Sequence, residues 1–141
     1  MAVNMVVLGA APDRVRRRDR SEPVQVTVDG RVVHDGPATG VVVANGEFLR
    51  GADVVPRGHP GDGRCEVQVY AVPRRDRAAL RTRVRTGTHV PHPNIVQSAG
   101  WRVEVDTDPD RAWPLELDGR QCSGTTHLVV ELLPQAFVLV T

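Results

Sequence analysis

The sequence predicts an all-β domain, a β-sandwich of about nine to eleven short, mostly antiparallel strands with one helix. Three observations carry that expectation. Val-rich runs of strand length recur from Val3 to Val140. Asx-Gly dipeptides, the preferred residues of tight turns, recur between or beside many of those runs. Helical spacing appears in a single stretch, about 74–86. With 141 residues, the chain is expected to form one domain, 1–141, and a chain of that size buries roughly 68–70% of its unfolded surface.

The elements follow in order. Val3–Leu8 is a short apolar run that reads as a buried strand. Pro12–Pro23 is polar and Arg-rich, with Arg16, Arg17 and Arg18 in a row. Val24–Val28 alternates apolar with polar, Asp29-Gly30 turns it, and Val32–His34 runs back. Thr39–Ala44 is a further strand, closed by Asn45-Gly46, and Val54-Val55 stops at Pro56. Asp35-Gly36 also reads as a turn. Residues 57–63, rich in Gly and Pro, form a loop. Cys65–Val72 alternates as a strand, and Pro73 then opens the helix, which buries Ala79 or Leu80 with Val84 and ends at Gly87. Its other positions are mostly Arg, so its apolar stripe is narrow and it belongs on the rim. Trp101–Val105, Trp113–Leu117, His127–Leu132 and Ala136–Val140 read as strands, with a turn at Asp118-Gly119.

Composition excludes several classes. Eighteen basic residues face seventeen acidic ones, a net charge of +1, which argues against a nucleic-acid partner. All the basic residues are Arg, as a GC-rich genome favours, so no Lys is present for a Schiff base or a phosphate. The chain has no apolar run of the ~20 residues a membrane span needs. Val3–Ala11 lacks the basic start of a signal peptide, and cytoplasm is the expected compartment. Cys65 and Cys122 are expected as buried thiols, with a single bridge left open.

Few motifs carry chemistry. No Walker A, dinucleotide fingerprint or Gly-x-Ser-x-Gly elbow occurs. His89 and His92 are separated by Pro91 and followed by Pro93, a poor frame for zinc. The Arg14–Arg20 cluster has two readings: guanidinium forks for phosphate or an anionic lipid head group, or a solvated loop interleaved with Asp13, Asp19 and Glu22.

One ordered series stands above turn chemistry: Val41-Val42-Val43-Ala44-Asn45-Gly46, then Arg50-Gly51-Ala52, Val55-Pro56 and Gly61-Asp62-Gly63. It continues through Arg85-Thr86-Gly87-Thr88-His89 to Leu115-Glu116-Leu117-Asp118-Gly119. Over roughly residues 24–140 it resembles the C-terminal, lipid-substrate domain of the bacterial diacylglycerol kinase and sphingosine kinase-like lipid kinases.

The resemblance implies a β-sandwich whose kinase partner domain carries a Gly-Gly-Asp-Gly-Thr nucleotide loop, which does not occur in this sequence. It implies ligand contacts at Asn45, Gly46, Arg50, Gly51 and Arg120, and it makes Asp118 the candidate catalytic base when a nucleotide-binding chain is present. It brings a Mg²⁺ site on Asp62, with backbone carbonyls of His59 and Arg64. Two positions depart from the family pattern. Asp118-Gly119-Arg120 replaces Asp-Gly-Glu, and a guanidinium cannot take a proton from a lipid hydroxyl. Arg50-Gly51-Ala52 replaces a run of glycines, adding side chains where bare backbone approaches ligand. The expectation is therefore a stand-alone domain, not competent for phosphoryl transfer by itself, that binds a lipid or apolar small molecule. The alternative is one half of a split lipid kinase whose partner chain brings the ATP site.

Overall fold

The computed structural model describes residues 3–56, 64–133 and 136–140, the last stretch as backbone. A six-stranded antiparallel sheet contains β1 (Met5–Gly9), β4 (Gly40–Ala44), β7 (Cys65–Tyr70), β8 (Ile95–Gly100), β10 (Trp113–Leu117) and β11 (Arg120–Thr125). Its strand order is β11-β10-β1-β4-β7-β8. A five-stranded sheet holds β2 (Glu22–Val28), β3 (Arg31–Ala38), β9 (Arg102–Thr107), β12 (His127–Leu133) and β13 (Ala136–Val140), in the order β13-β12-β9-β2-β3. A small hairpin joins β5 (Phe48–Leu49) to β6 (Ala52–Asp53), and a 3₁₀ turn, Arg74–Asp76, leads into α1 (Arg77–Val84).

The two large sheets face each other, as the sequence predicts. Val24, Val26 and Val28 of β2 and Val103 and Val105 of β9 point inward and meet Val6, Leu8, Val41, Val43, Val67 and Val69 of the six-stranded sheet. Each fully buried Val of this kind stabilises the fold by roughly 1.5–3 kcal/mol relative to exposure. Strands β1 and β4 are apolar on both faces because the second face is also covered, whereas that face of β7 carries Glu66, Gln68 and Tyr70. Met5, Val7, Val42, Ala44 and Tyr70 pack under Leu80 and Val84 of α1, Val15 of the Arg-rich loop, and Val54 and Val55. The molecule thus has three layers: the five-stranded sheet, the six-stranded sheet, and a cap of helix and loops.

Glycines permit the tightest approach between strands. Gly9 ends β1 with φ +87°, and a Cβ there would stand 2.5 Å from the Thr39 carbonyl oxygen and 2.8 Å from the Trp113 ring. Across the register, Gly40 lies against the Ala10 carbonyl, only 2.3 Å from where its Cβ would be. Any side chain at either position forces the strands apart.

The sequence reading departs from the structure in several places. Thirteen strands occur among the described residues, more than expected, because β5, β6, β8 and β11 carry little apolar alternation. Strand β11, Arg-Gln-Cys-Ser-Gly-Thr, is an almost fully exposed edge. Asp35-Gly36 is no turn: both residues lie inside β3, paired with Gln25 and Val24 of β2. Val54-Val55 is not a strand but the buried stretch after β6. The helix is shorter than 74–86 and buries Arg77, Leu80 and Val84. Both cysteines are free thiols, Cys65 buried and Cys122 exposed, so only Cys65 meets the burial expectation.

A polar network is sealed beneath the cap. The Tyr70 hydroxyl donates to Gln68 Oε1 at 2.5 Å, and Gln68 Nε2 donates to the Val54 carbonyl at 3.0 Å. His89 Nε2 donates to the same carbonyl at 2.9 Å, and its ring stacks on Tyr70 with centroids 6.4 Å apart. Nδ1 of His89 is buried with no partner, so protonating it would place a charge in the interior. Burial pushes the His89 pKa below its ordinary value, against the opposing hydrogen bond to Val54. Below about pH 6.5 the unfolded chain therefore binds a proton that the folded one resists, and stability falls with pH. His89→Phe is expected to flatten that slope between neutral and mildly acid pH in urea denaturation. Equal slopes in parent and variant would remove His89 from the account.

Candidate functional site

Asp118 and Gly119 form the turn between β10 and β11, both with positive φ, 48° and 84°. That geometry belongs to a two-residue hairpin with φ > 0 at both central positions, and it projects the Asp118 side chain over the neighbouring strand. The carboxylate accepts from the Asn4 N–H at 2.9 Å and the Met5 N–H at 2.8 Å, both on Oδ1. The Asp118 N–H donates in turn to the Met5 carbonyl at 2.9 Å. Asn45, just after β4, donates its N–H to the Asn4 carbonyl at 2.8 Å. The structure therefore brings Asp118, Asn45 and Gly46 together around Asn4, a residue for which the sequence holds no signal. The side-chain oxygen Oδ1 of Asn45 is buried without a partner. Arg120 is exposed on the far side of the turn, opposite Leu117.

Arg50 and Gly51 form a second turn of the same type, with φ 48° and 77°. The sequence hides it because Arg is an unusual residue at φ > 0. Arg50 turns inward. Its Nε and Nη2 donate to both oxygens of Asp13 at 2.9 and 2.8 Å, and Nη1 donates to Glu116 at 2.6 Å. Hydrogen bonding to Asp13 is the largest effect and, with Glu116, holds the guanidinium pKa above its ordinary value despite some desolvation. Gly51 beside it is open, with nothing within 4 Å of a notional Cβ.

Asp13 and Glu116 were not singled out by the sequence. Glu116 could have been: a Glu between Leu115 and Leu117 in an inner strand must face the second side of its sheet and needs a cation there. Of the expected Mg²⁺ ligands, Asp62 and His59 lie outside the described residues, and Arg64 is exposed just before β7. Among the described residues no group of three or more His, Cys, Asp or Glu could hold a metal.

An open groove of about 1030 Å³ lies between the Arg-rich loop and β10. Arg14, Arg16, Arg18, Arg20, Glu116 and Gln121 contribute to its walls. Asn45, Gly46, Arg50, Gly51, Asp118 and Arg120 do not line it.

The fold is that of a β-sandwich domain whose inner sheet is capped by a helix and loops, with an Asp-Gly turn at its rim. Residues 15–141 match the YegS C-terminal NAD kinase beta sandwich-like domain, and the chain belongs to that family. The fold agrees with solved structures. A diacylglycerol kinase from Bacillus anthracis str. Sterne superposes with TM-score 0.67 at 18% identity, over 96% of this chain and 48% of that one. A protein assigned as a diacylglycerol kinase from the same organism gives TM-score 0.73 at 19% identity, over 95% of this chain and 50% of that one. A further structure with that assignment gives 0.72 at 20% identity, over 95% and 51%. The chain spans about half the length of these proteins. No curated protein matches the chain. Among the described residues no helix is long and apolar enough to cross a membrane.

The Arg50 hub yields a stability prediction. Arg50→Met leaves Glu116 and Asp13 without their cation and is expected to cost roughly 2–4 kcal/mol in chemical denaturation, since breaking a partly buried pair strands a charge. Adding Glu116→Met is expected to return part of that loss. A double variant less stable than the single one would contradict the pairing.

Proposed function

We propose that this diacylglycerol kinase-like C-terminal domain by itself binds a lipid or apolar small molecule and transfers no phosphoryl group. The observation that supports this reading most is the Asp118-Gly119-Arg120 turn. Its one carboxylate is held by the backbone N–H groups of Asn4 and Met5, where β1 begins. At the position where the family carries an acid, the chain presents an exposed guanidinium, which cannot accept a proton. The described residues hold no helix N-terminus or glycine loop built to cradle a triphosphate, and phosphoryl transfer depends on such positioning. Diacylglycerol as substrate class comes from the solved kinases whose halves this fold matches.

A second reading is favoured by that same half-to-half match: the domain completes a working kinase, and Asp118, already positioned at the rim, takes the proton from the lipid hydroxyl.

One experiment separates them. The chain alone is incubated with ATP, Mg²⁺ and dispersed diacylglycerol, then again with a nucleotide-binding domain from a related kinase. No phosphorylated lipid from the chain alone, together with saturable binding of diacylglycerol, is the expected result; turnover by the chain alone contradicts the proposal. Turnover in the mixture that disappears with Asp118→Asn supports the second reading, and turnover unaffected by Asp118→Asn refutes Asp118 as base.

A further inference from the structure

The Arg-rich loop is held from behind by a buried arginine. Arg77, the first residue of α1, is 2% exposed, and its guanidinium meets no carboxylate. Nη1 donates to the carbonyls of Arg16, Arg17 and Asp19 at 3.0, 3.2 and 2.5 Å, and Nε donates to the Val72 carbonyl at 3.1 Å. Nη2 reaches the Ser21 hydroxyl at 3.2 Å. Arg81, one turn later, donates to the Val15 carbonyl at 2.6 Å. The Asp19 carboxylate closes the loop on the Arg16 N–H at 2.8 Å. The loop carbonyls thus converge on two helix arginines, while the side chains of Arg14, Arg16, Arg17, Arg18 and Arg20 stand exposed. None of these five side chains makes an ion pair among the described residues. A fixed backbone removes much of the ordering cost that a flexible basic loop would bear on binding.

Four of the five, Arg14, Arg16, Arg18 and Arg20, line the groove of about 1030 Å³. Arg111 also lines it but is paired with Glu22 at 2.5 Å. Asp110 is the exposed acid on the opposite rim. The groove wall also contains Glu116, 5% exposed, whose Oε1 is held by Arg50 and whose Oε2 is buried with no donor. A buried carboxylate oxygen without a partner is uncommon and calls for a donor. Arg50 already donates to Oε1 of Glu116, and a ligand hydroxyl is a donor that can serve Oε2.

We propose that this groove binds a phosphate monoester carrying a nearby hydroxyl group, with the phosphate on the arginines of the 14–20 loop and the hydroxyl donating to Glu116 Oε2. Guanidinium forks match phosphate oxygens in pairs, and several of them on one fixed loop select a dianion over a singly charged diester. The site is separate from the Asp118 turn, and its test uses the chain without nucleotide, so it stands or falls independently of the kinase reading.

The test is calorimetric titration of the full chain with glycerol 3-phosphate, methyl phosphate and inorganic phosphate, and sedimentation with phosphatidylcholine vesicles containing lysophosphatidic acid, which keeps one free glycerol hydroxyl, or phosphatidylserine. Glycerol 3-phosphate is expected to bind several-fold more tightly than methyl phosphate. Arg16→Gln/Arg18→Gln, both exposed, is expected to weaken binding at least about tenfold with the melting temperature unchanged. Arg31→Gln, at the start of β3, leaves binding as it was. Co-sedimentation with lysophosphatidic acid vesicles that depends on Arg16 and Arg18 assigns the monoester to a lipid head group; binding of glycerol 3-phosphate alone assigns a soluble ligand. The proposal is overturned if no monoester binds, if the double variant binds as the parent does, if methyl phosphate equals glycerol 3-phosphate, or if phosphatidylserine vesicles bind as well as lysophosphatidic acid ones.

Discussion

A carboxylate 114 positions away in sequence holds the start of the first strand. Strand β1 lies in the middle of the six-stranded sheet, between β10 and β4, with both faces buried. An inner strand has to be fixed at both ends, because a one-residue slip would exchange its two apolar faces. At its start, Asp118 binds the Asn4 and Met5 N–H groups; at its end, Gly9 passes under Thr39 and Trp113 where no side chain fits. With β1 fixed, Met5 and Val7 face the cap, and Val6 and Leu8 face the other sheet. The same contact decides how Asp118 is to be regarded. The Asp118 carboxylate is the clasp that closes the sheet at the start of β1.

Charges in this domain are sorted by depth. Exposed arginines are left for solvent or ligand on the 14–20 loop, whereas the partly buried Arg50 side chain and the buried Arg77 are completed by opposite means. Arg50 meets two carboxylates. Arg77 meets carbonyl dipoles, and burial with the neighbouring Arg74 lowers its pKa. A guanidinium tolerates both settings because its planar fork can satisfy several acceptors at once and stays protonated. A chain without Lys thus uses one residue type to brace a loop, to bridge strands and to line a groove.

The sandwich was legible because its inner strands are Val-rich and its hairpins turn on Asp29-Gly30 and Asp118-Gly119. Apolar residues in these strands leave little choice of burial, and those dipeptides fit backbone that few other residues adopt. Legibility failed where packing does not depend on apolar side chains. Strand β11 sits on the edge and needs only backbone pairing with β10, so nothing in its composition announces it. Strand β3 continues through Asp35-Gly36 because its partner β2 is already in place, a tertiary effect that overrides turn preference. The candidate site was half legible. Asn45, Gly46 and Asp118, which the resemblance singles out, are joined at the rim by Asn4, a residue with no motif. Arg50 drew notice as an added side chain near a ligand, while its role as a bridge depends on Asp13 and Glu116, 37 and 66 positions away. Long-range polar pairs of this kind leave no periodicity to read.

The central claim is that the Asp118 carboxylate is a structural clasp on β1. Hydrogen exchange of the Asn4 and Met5 amides, followed by NMR in the parent chain and in Asp118→Ala, tests it most directly. The account predicts slow exchange at both amides in the parent and a large loss of protection in the variant, with the amides of β7 and β9 still protected. Unchanged protection at Asn4 and Met5 in Asp118→Ala would contradict it.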